Sequence, residues 1–126
     1  MERFGSVLIV ARPGPLSDGL RAVLASIPRA EVADDLVDEA LSLLKAVRQH
    51  RPAIVLLDFD LLRRDGPESL QQIKALSPET RCIVLADSVH EQQAAKDAGV
   101  DATLLKGSLP ATLIATIERL LPQRCQ

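Results

Sequence analysis

The 126-residue sequence has few cysteines, little net charge and no long apolar run, and each absence excludes a class of protein. The formal charge of -2 gives no electrostatic attraction to phosphate backbones or anionic lipid, so we expect no direct nucleic-acid binding by this segment. Cys82 lies in an apolar run and Cys125 in a polar tail, a spacing that fits neither a disulfide framework nor a zinc site.

The apolar run near the start of the chain is too short to cross a membrane. It covers Ser6–Val10 and is followed at once by Arg12 and two prolines, so neither a signal peptide nor a spanning helix is expected. The sequence therefore predicts a cytoplasmic protein without a membrane partner.

Short apolar runs alternate five times with segments in which apolar residues recur at helical spacing. Several of the runs are nearly continuous Val, Ile and Leu, which is typical of parallel strands covered on both faces. Between them, apolar residues recur with a period of about 3.6, which predicts helices. The predicted strands are residues 6–10, 30–33, 53–57, 81–85 and 102–105, the third helix contains Leu70, Ile73 and Leu76, and the last two helices are residues 91–98 and 109–121.

This alternation predicts one α/β domain over residues 1–126, with a core of about 5–122. Short connections between strands and helices favour right-handed crossovers, and hence a doubly wound five-stranded parallel sheet with helices on both faces. Ligands of such sheets bind at the carboxyl ends of the strands, near the point where the strand order switches. The residues expected there are 11–12, 58–60, 86–88 and 106–108.

Two opposite charges are expected to meet at this edge of the sheet. Asp58 follows four apolar residues of the third strand, and Lys106 follows the leucine pair that ends the fifth. A carboxylate and an ammonium converging on a cleft could handle a phosphoryl group, with the lysine as a point-charge clamp. The alternatives are a helix-capping or solvated aspartate and a surface lysine. The sequence contains no glycine-rich phosphate loop and no Ser-His-Asp order.

Four sequence motifs occur in order along nearly the whole chain: VLIVARPGPLSDGL, PAIVLLDFDLLRRDG, RCIVLADS and AGVDATLLKGS. Together they resemble the receiver domains of two-component response regulators, most closely those of the LuxR and NarL type, which carry a helix-turn-helix output domain. The resemblance implies a (βα)5, flavodoxin-like fold with strand order 2-1-3-4-5. It implies that Asp58 accepts a phosphoryl group from a histidine kinase, that Lys106 pairs with it, and that Gly66 opens the third helix.

The sequence departs from the family at its magnesium ligands. Receiver domains have an acidic pair directly after the first strand, and here that pair reads Ala11-Arg12. Mg²⁺ requires oxygen ligands in near-octahedral geometry, and neither of these side chains supplies one. Asp60 matches the position whose backbone carbonyl reaches the metal in the family. We therefore expect no bound cofactor, and magnesium only if the pocket is rearranged.

Charge leads to the same expectation. Asp58, Lys106 and Arg12 together carry one positive charge, and Mg²⁺ would raise this to three in a partly desolvated cleft, unless Asp60 or Asp87 turns inward. Two interpretations of Arg12 stay open. It is either an exposed loop charge or a guanidinium that lies against Asp58 in place of the metal.

Two more positions differ in the part of the family that transmits phosphorylation. Ala86 stands where receivers keep a Ser or Thr hydroxyl that bonds the phosphoryl group, and alanine has no donor. Ser88 has the same strand parity and would partly replace that hydroxyl if the strand continued so far. Thr103 occupies the switch position, where the family often carries a Tyr or Phe.

We expect a degenerate receiver that acts through protein–protein interaction, with weak or absent magnesium-dependent phosphorylation. The partner would be a histidine kinase or another signalling protein, and a homodimer is plausible. One alternative is an active receiver, phosphorylated on Asp58, that controls a DNA-binding output. Another is a module that senses small anions through Arg12 and Lys106. An enzyme is not expected, because a lone aspartate among cations has no base or nucleophile partner.

Overall fold

The computed structural model describes residues 6–11, 14–33, 40–65, 68–107 and 110–121, and in them strands and helices alternate along the chain. Within these ranges no helix combines the length and the apolar character needed to cross a bilayer. The strands are β1 (Ser6–Val10), β2 (Glu31–Ala33), β3 (Ile54–Asp58), β4 (Arg81–Ala86) and β5 (Ala102–Leu105), and the helices are α1 (Pro15–Ala25), α2 (Ala40–His50), α3 (Phe59–Asp65), α4 (Glu68–Leu76), α5 (Val89–Ala98) and α6 (Pro110–Leu120).

The five strands form one parallel sheet in the order β2-β1-β3-β4-β5, which confirms the predicted doubly wound α/β fold. Every strand lies within about one residue of its predicted bounds, because buried parallel strands are nearly continuous in apolar residues. The order of the strands reverses where β1 lies beside β3. The carboxyl ends of these two strands therefore border the switch point at which such sheets bind ligands.

Alternate strand residues face opposite sides of the sheet and form two apolar layers. Leu8 and Val10 of β1 belong to the layer covered by α2, α3, α4 and α5. Val7 and Ile9 belong to the layer covered by α1 and α6. Ala11, which follows β1, continues this second set and is 3% exposed. Its methyl group is therefore part of the hydrophobic core.

The helical region between β3 and β4 differs from the predicted single helix. A seven-residue helix, α3, begins directly after Asp58, and α4 follows as a separate helix. The Oδ1 atom of Asp58 accepts a hydrogen bond from the backbone N–H of Asp60 at 3.0 Å, which satisfies one of the free amides at the start of α3. The helix-capping interpretation of Asp58 is thus confirmed. Gly66 lies outside the described residues.

Both ends of α5 are capped by residues of the local sequence. The Oγ atom of Ser88 accepts a hydrogen bond from the N–H of Glu91 at 3.1 Å, and the Glu91 carboxylate accepts one from the N–H of Asp87 at 2.8 Å. This reciprocal arrangement resembles a capping box. Gly99 closes the helix with φ of 100°, as its position predicted.

The carboxylate of Asp101 joins three elements at the edge of the sheet opposite the switch point. It accepts hydrogen bonds from Lys74 Nζ at 2.8 Å, from Cys82 N at 2.7 Å and from an Arg81 guanidinium nitrogen at 3.4 Å. Burial alone would raise the pKa of the Asp101 carboxyl, but the hydrogen bonds from Lys74 and Cys82 and the nearby positive charges outweigh it, so this pKa is lowered. The contact links α4, β4 and the turn before β5.

We expect Asp101→Asn to lower the free energy of unfolding by about 1 to 2 kcal/mol at pH 7, because a charged hydrogen-bonded group is lost. A lowered folded pKa stabilises the protein above the usual value of about 3.9 and loses that effect as the pH falls through the folded pKa. The deficit should therefore shrink near pH 3 in urea titrations. Asp97→Asn, at an exposed carboxylate of α5, is the control. An equal deficit at both pH values would contradict this account.

Candidate functional site

Three carboxylates surround the ammonium group of Lys106 at the carboxyl edge of the sheet. The Nζ atom lies 2.9 Å from Asp58 Oδ1, 3.2 Å from Asp87 Oδ2 and 3.7 Å from Asp60 Oδ2. The acids come from the end of β3, the loop after β4 and the first turn of α3. Four residues predicted to share a pocket therefore do meet in the structure.

Strand register explains why residues so distant in sequence converge. Asp58 is paired with Leu85, and Ala86 is paired with Leu105, so β3, β4 and β5 end at nearly the same level. The N–H of Lys106 donates to the carbonyl of Ala86 at 2.8 Å, which extends the ladder by one residue beyond the strands. The next side chains along each strand are therefore delivered to one edge.

The contact between Asp58 and Lys106 is the most shielded of the three. Their side chains are 13% and 19% exposed, whereas that of Asp87 is 59% exposed. Burial would lower the pKa of the Lys106 ammonium, but the hydrogen bond and charge of Asp58, together with Asp87 and Asp60, outweigh it, so the pKa is raised. The lysine is therefore firmly charged at neutral pH.

The observed positions of Asp60 and Asp87 change the charge of the cleft. The sequence left open whether Asp60 or Asp87 turns inward, and in the structure both carboxylates lie close to the Lys106 ammonium. Three carboxylates, the Lys106 ammonium and the Arg63 guanidinium, which pairs with Asp60 at 3.1 Å, give the described cluster a formal charge of -1. Charge alone therefore does not disfavour a cation here. Arg12, and with it the question of its contact with Asp58, lies outside the described residues.

Ala11 stands at the position of the first metal ligand of receiver domains, and it is packed into the hydrophobic core. The side chain of Ala11 is a buried methyl group in the layer beneath α1 and α6, and it has no oxygen to offer. Arginine at position 12 is a donor and cannot ligate a cation. From the β1 side, the cleft lacks the carboxylates that hold magnesium in receiver domains.

Acidic groups do lie close together on the β4 side of the cleft. The carboxylates of Asp60, Asp87 and Glu91 are within 4.8 Å of one another. However, Asp60 and Asp87 face the Lys106 ammonium, and Glu91 accepts a hydrogen bond from a backbone N–H. The described residues therefore do not fit the family's magnesium site.

The residues expected to transmit a signal are all engaged within the chain. Ala86 is fully buried at the end of β4. The prediction that Ser88 partly replaces the missing hydroxyl is wrong, because β4 ends at Ala86 and the Ser88 side chain caps α5 instead. Thr103 Oγ1 accepts a hydrogen bond from Gln92 Nε2 at 3.2 Å, which joins β5 to α5.

Glu91 and Gln92 are two residues at the site that sequence reasoning missed. The pattern Ser88-x-x-Glu91 is a recognisable capping-box signal and could have identified the first of them. Nothing in the local sequence indicates that Gln92 reaches Thr103, because that contact depends on how α5 packs against β5.

Comparisons with known proteins identify related sequences. Residues 7–118 match the family model described as the response regulator receiver domain. The chain is 33% identical over 110 residues to the response regulator MprA of Mycobacterium leprae, covering 82% of this chain and 48% of the relative. It spans about half the length of the curated relatives it matches.

Solved structures agree in fold. A LuxR-family two-component response regulator from Aurantimonas sp. SI85-9A1 has a TM-score of 0.79 at 22% identity, covering 91% of this chain and 83% of that one. The receiver domain of a sensor histidine kinase from Pseudomonas aeruginosa PAO1, which contains a magnesium ion in its active-site cleft, has a TM-score of 0.77 at 21% identity, covering 93% of this chain and 97% of that one.

We expect Lys106→Met to lower the free energy of unfolding by about 1 to 3 kcal/mol at low salt, because Asp58 and Asp87 then lose the cation that they share, while Asp60 keeps its contact with Arg63. The loss should be smaller in 0.5 M NaCl, where screening acts over roughly 4 Å. Because the folded pKa of Lys106 is raised, its stabilising effect is complete below the usual value of about 10.4 and disappears as the pH rises through the folded pKa.

Urea titrations at two salt concentrations and at pH 7 and 11 measure this prediction. Lys96→Met removes an exposed lysine of α5 and serves as the matched control. Equal effects of the two substitutions, or no dependence on salt, would show that the lysine does not hold the carboxylates together.

Proposed function

Because this chain belongs to the receiver domain family of response regulators, we propose that it is a two-component signalling domain in which magnesium-dependent phosphorylation of Asp58 is weak or absent. Receiver domains are signalling modules that interact with histidine kinases. This one would act through protein–protein contacts with a kinase or another signalling protein. The observation that carries the proposal is the buried methyl group of Ala11 at the family's metal-ligand position.

Phosphoryl transfer depends on cations that neutralise the charge of the transferred group. In the described cleft only Lys106 contacts Asp58 as a cation, and it is shared with Asp60 and Asp87. Two like charges about 4 Å apart repel by roughly 4 kcal/mol at an effective dielectric constant of 20. The two additional carboxylates therefore oppose the approach of a phosphoryl donor to Asp58.

Transmission of a phosphorylation signal would also be weak. Ala86 has no hydroxyl to draw the β4–α5 loop toward a phosphoryl group. Thr103 is smaller than the aromatic residue of the family's switch and is bonded to Gln92. Both differences favour a domain in which contacts within the chain, rather than phosphorylation, determine the arrangement of the outer surface.

A second candidate is an active receiver that is phosphorylated on Asp58. The 2.9 Å contact between Asp58 and Lys106 favours it, since these are the two residues that the family uses on either side of the phosphoryl group. A histidine kinase could itself supply much of the organisation of the transition state. Its output could be a DNA-binding half in a longer protein, with dimerisation through α5, β5 and α6.

The anion-sensing alternative receives less support. The formal charge of -1 around Lys106 within the described residues disfavours small anions. Arg12 is the one other cation on which that hypothesis relied, and it lies outside those residues.

Beryllium fluoride with Mg²⁺, a mimic of the phosphoryl group, tests the proposal directly. We expect backbone amide resonances near Asp58 and Lys106 to remain unchanged at modest concentrations, because the ligands that anchor the mimic are missing. The measurement is a ¹H–¹⁵N titration against Mg²⁺ alone, with an ordinary receiver domain as the positive control. Specific shifts that Asp58→Asn abolishes would replace the proposal by the second candidate.

A further inference from the structure

Lys106 connects two parts of the fold that receivers ordinarily couple through a phosphoryl group. One of its carboxylate partners, Asp58, ends β3, and the other close partner, Asp87, lies in the loop between β4 and α5. The distances from Nζ are 2.9 and 3.2 Å, so both are hydrogen-bonded ion pairs. A single ammonium group thus holds the loop beside the carboxylate.

Asp87 is also tied to α5 through its backbone. Its N–H donates to the Glu91 carboxylate at 2.8 Å, and Glu91 in turn donates its own N–H to Ser88. The side chain of the next residue, Gln92, donates a hydrogen bond to Thr103 on β5. Hydrogen bonds therefore link Asp87 to the first turn of α5.

We propose that Asp87 is a positioning residue that fixes the β4–α5 loop and the start of α5 against Lys106 while Asp58 carries no phosphoryl group. The loop hydroxyl of the family is replaced by Ala86, and one residue later a carboxylate reaches the lysine instead. This inference rests on the proposed function, because it describes a domain in which Lys106 holds the β4–α5 loop without phosphorylation of Asp58.

The strength of this contact is limited by solvent. The Asp87 side chain is 59% exposed, so the pair is screened by salt and shifts a local opening equilibrium by up to about fivefold. This is enough to change the population of a loop that opens and closes.

Hydrogen exchange measured by NMR on the whole chain tests the proposal. Asp87→Asn keeps the shape of the side chain and removes its charge, and we expect two- to fivefold faster exchange at the amides of Asp87, Glu91 and Gln92. Asp97→Asn removes the same charge from an exposed site on α5 and should leave these rates unchanged. Raising NaCl from 50 to 500 mM should accelerate the same amides in the unmodified protein but not in Asp87→Asn.

Equal rates in Asp87→Asn and the unmodified protein would overturn the proposal. So would the same acceleration in both aspartate variants, or a salt response that persists without Asp87. All arms are measured without Mg²⁺ or beryllium fluoride. A response of the unmodified protein to beryllium fluoride would instead refute the proposed function, and the two failures are therefore separable.

Discussion

The ammonium group of Lys106 is the contact on which the arrangement of the site depends. It is held between Asp58, Asp60 and Asp87, which come from three different segments of the chain. In an ordinary receiver the acidic groups of this cleft share a metal as well as a lysine. Among the described residues, Lys106 contacts all three carboxylates, Arg63 pairs with Asp60 as well, and the raised pKa of Lys106 reflects the nearby negative charge. These ion pairs hold the described side chains of the cleft close together.

The change at the end of β1 links this electrostatic arrangement to core packing. Alternation along β1 directs Val7, Ile9 and Ala11 into the same layer, beneath α1 and α6. An alanine at the last of these positions adds to the buried apolar surface, whereas a carboxylate would have to be paired or bound to a metal. An alanine at this position is therefore compatible with a well-packed receiver fold.

Contacts among nearby residues hold the β4–α5 loop in place. Ser88 and Glu91 cap the helix, Gln92 ties it to Thr103, and the Asp87 side chain turns toward the lysine. None of these contacts needs a residue from outside the domain. The arrangement of this loop therefore depends on contacts within the described part of the chain.

Apolar periodicity determined the five strands, their flanking helices and the sheet edge at which Asp58 and Lys106 meet, because those features follow from local burial patterns and from the geometry of parallel sheets. The resemblance of the motifs then supplied the family and the strand order. Only the tertiary structure decided where Asp60 and Asp87 point, that Asp58 also caps α3, and that Ser88 belongs to a helix rather than to β4. Each of these depends on the rotation of a side chain or the exact end of an element, and such details are set by neighbours distant in sequence.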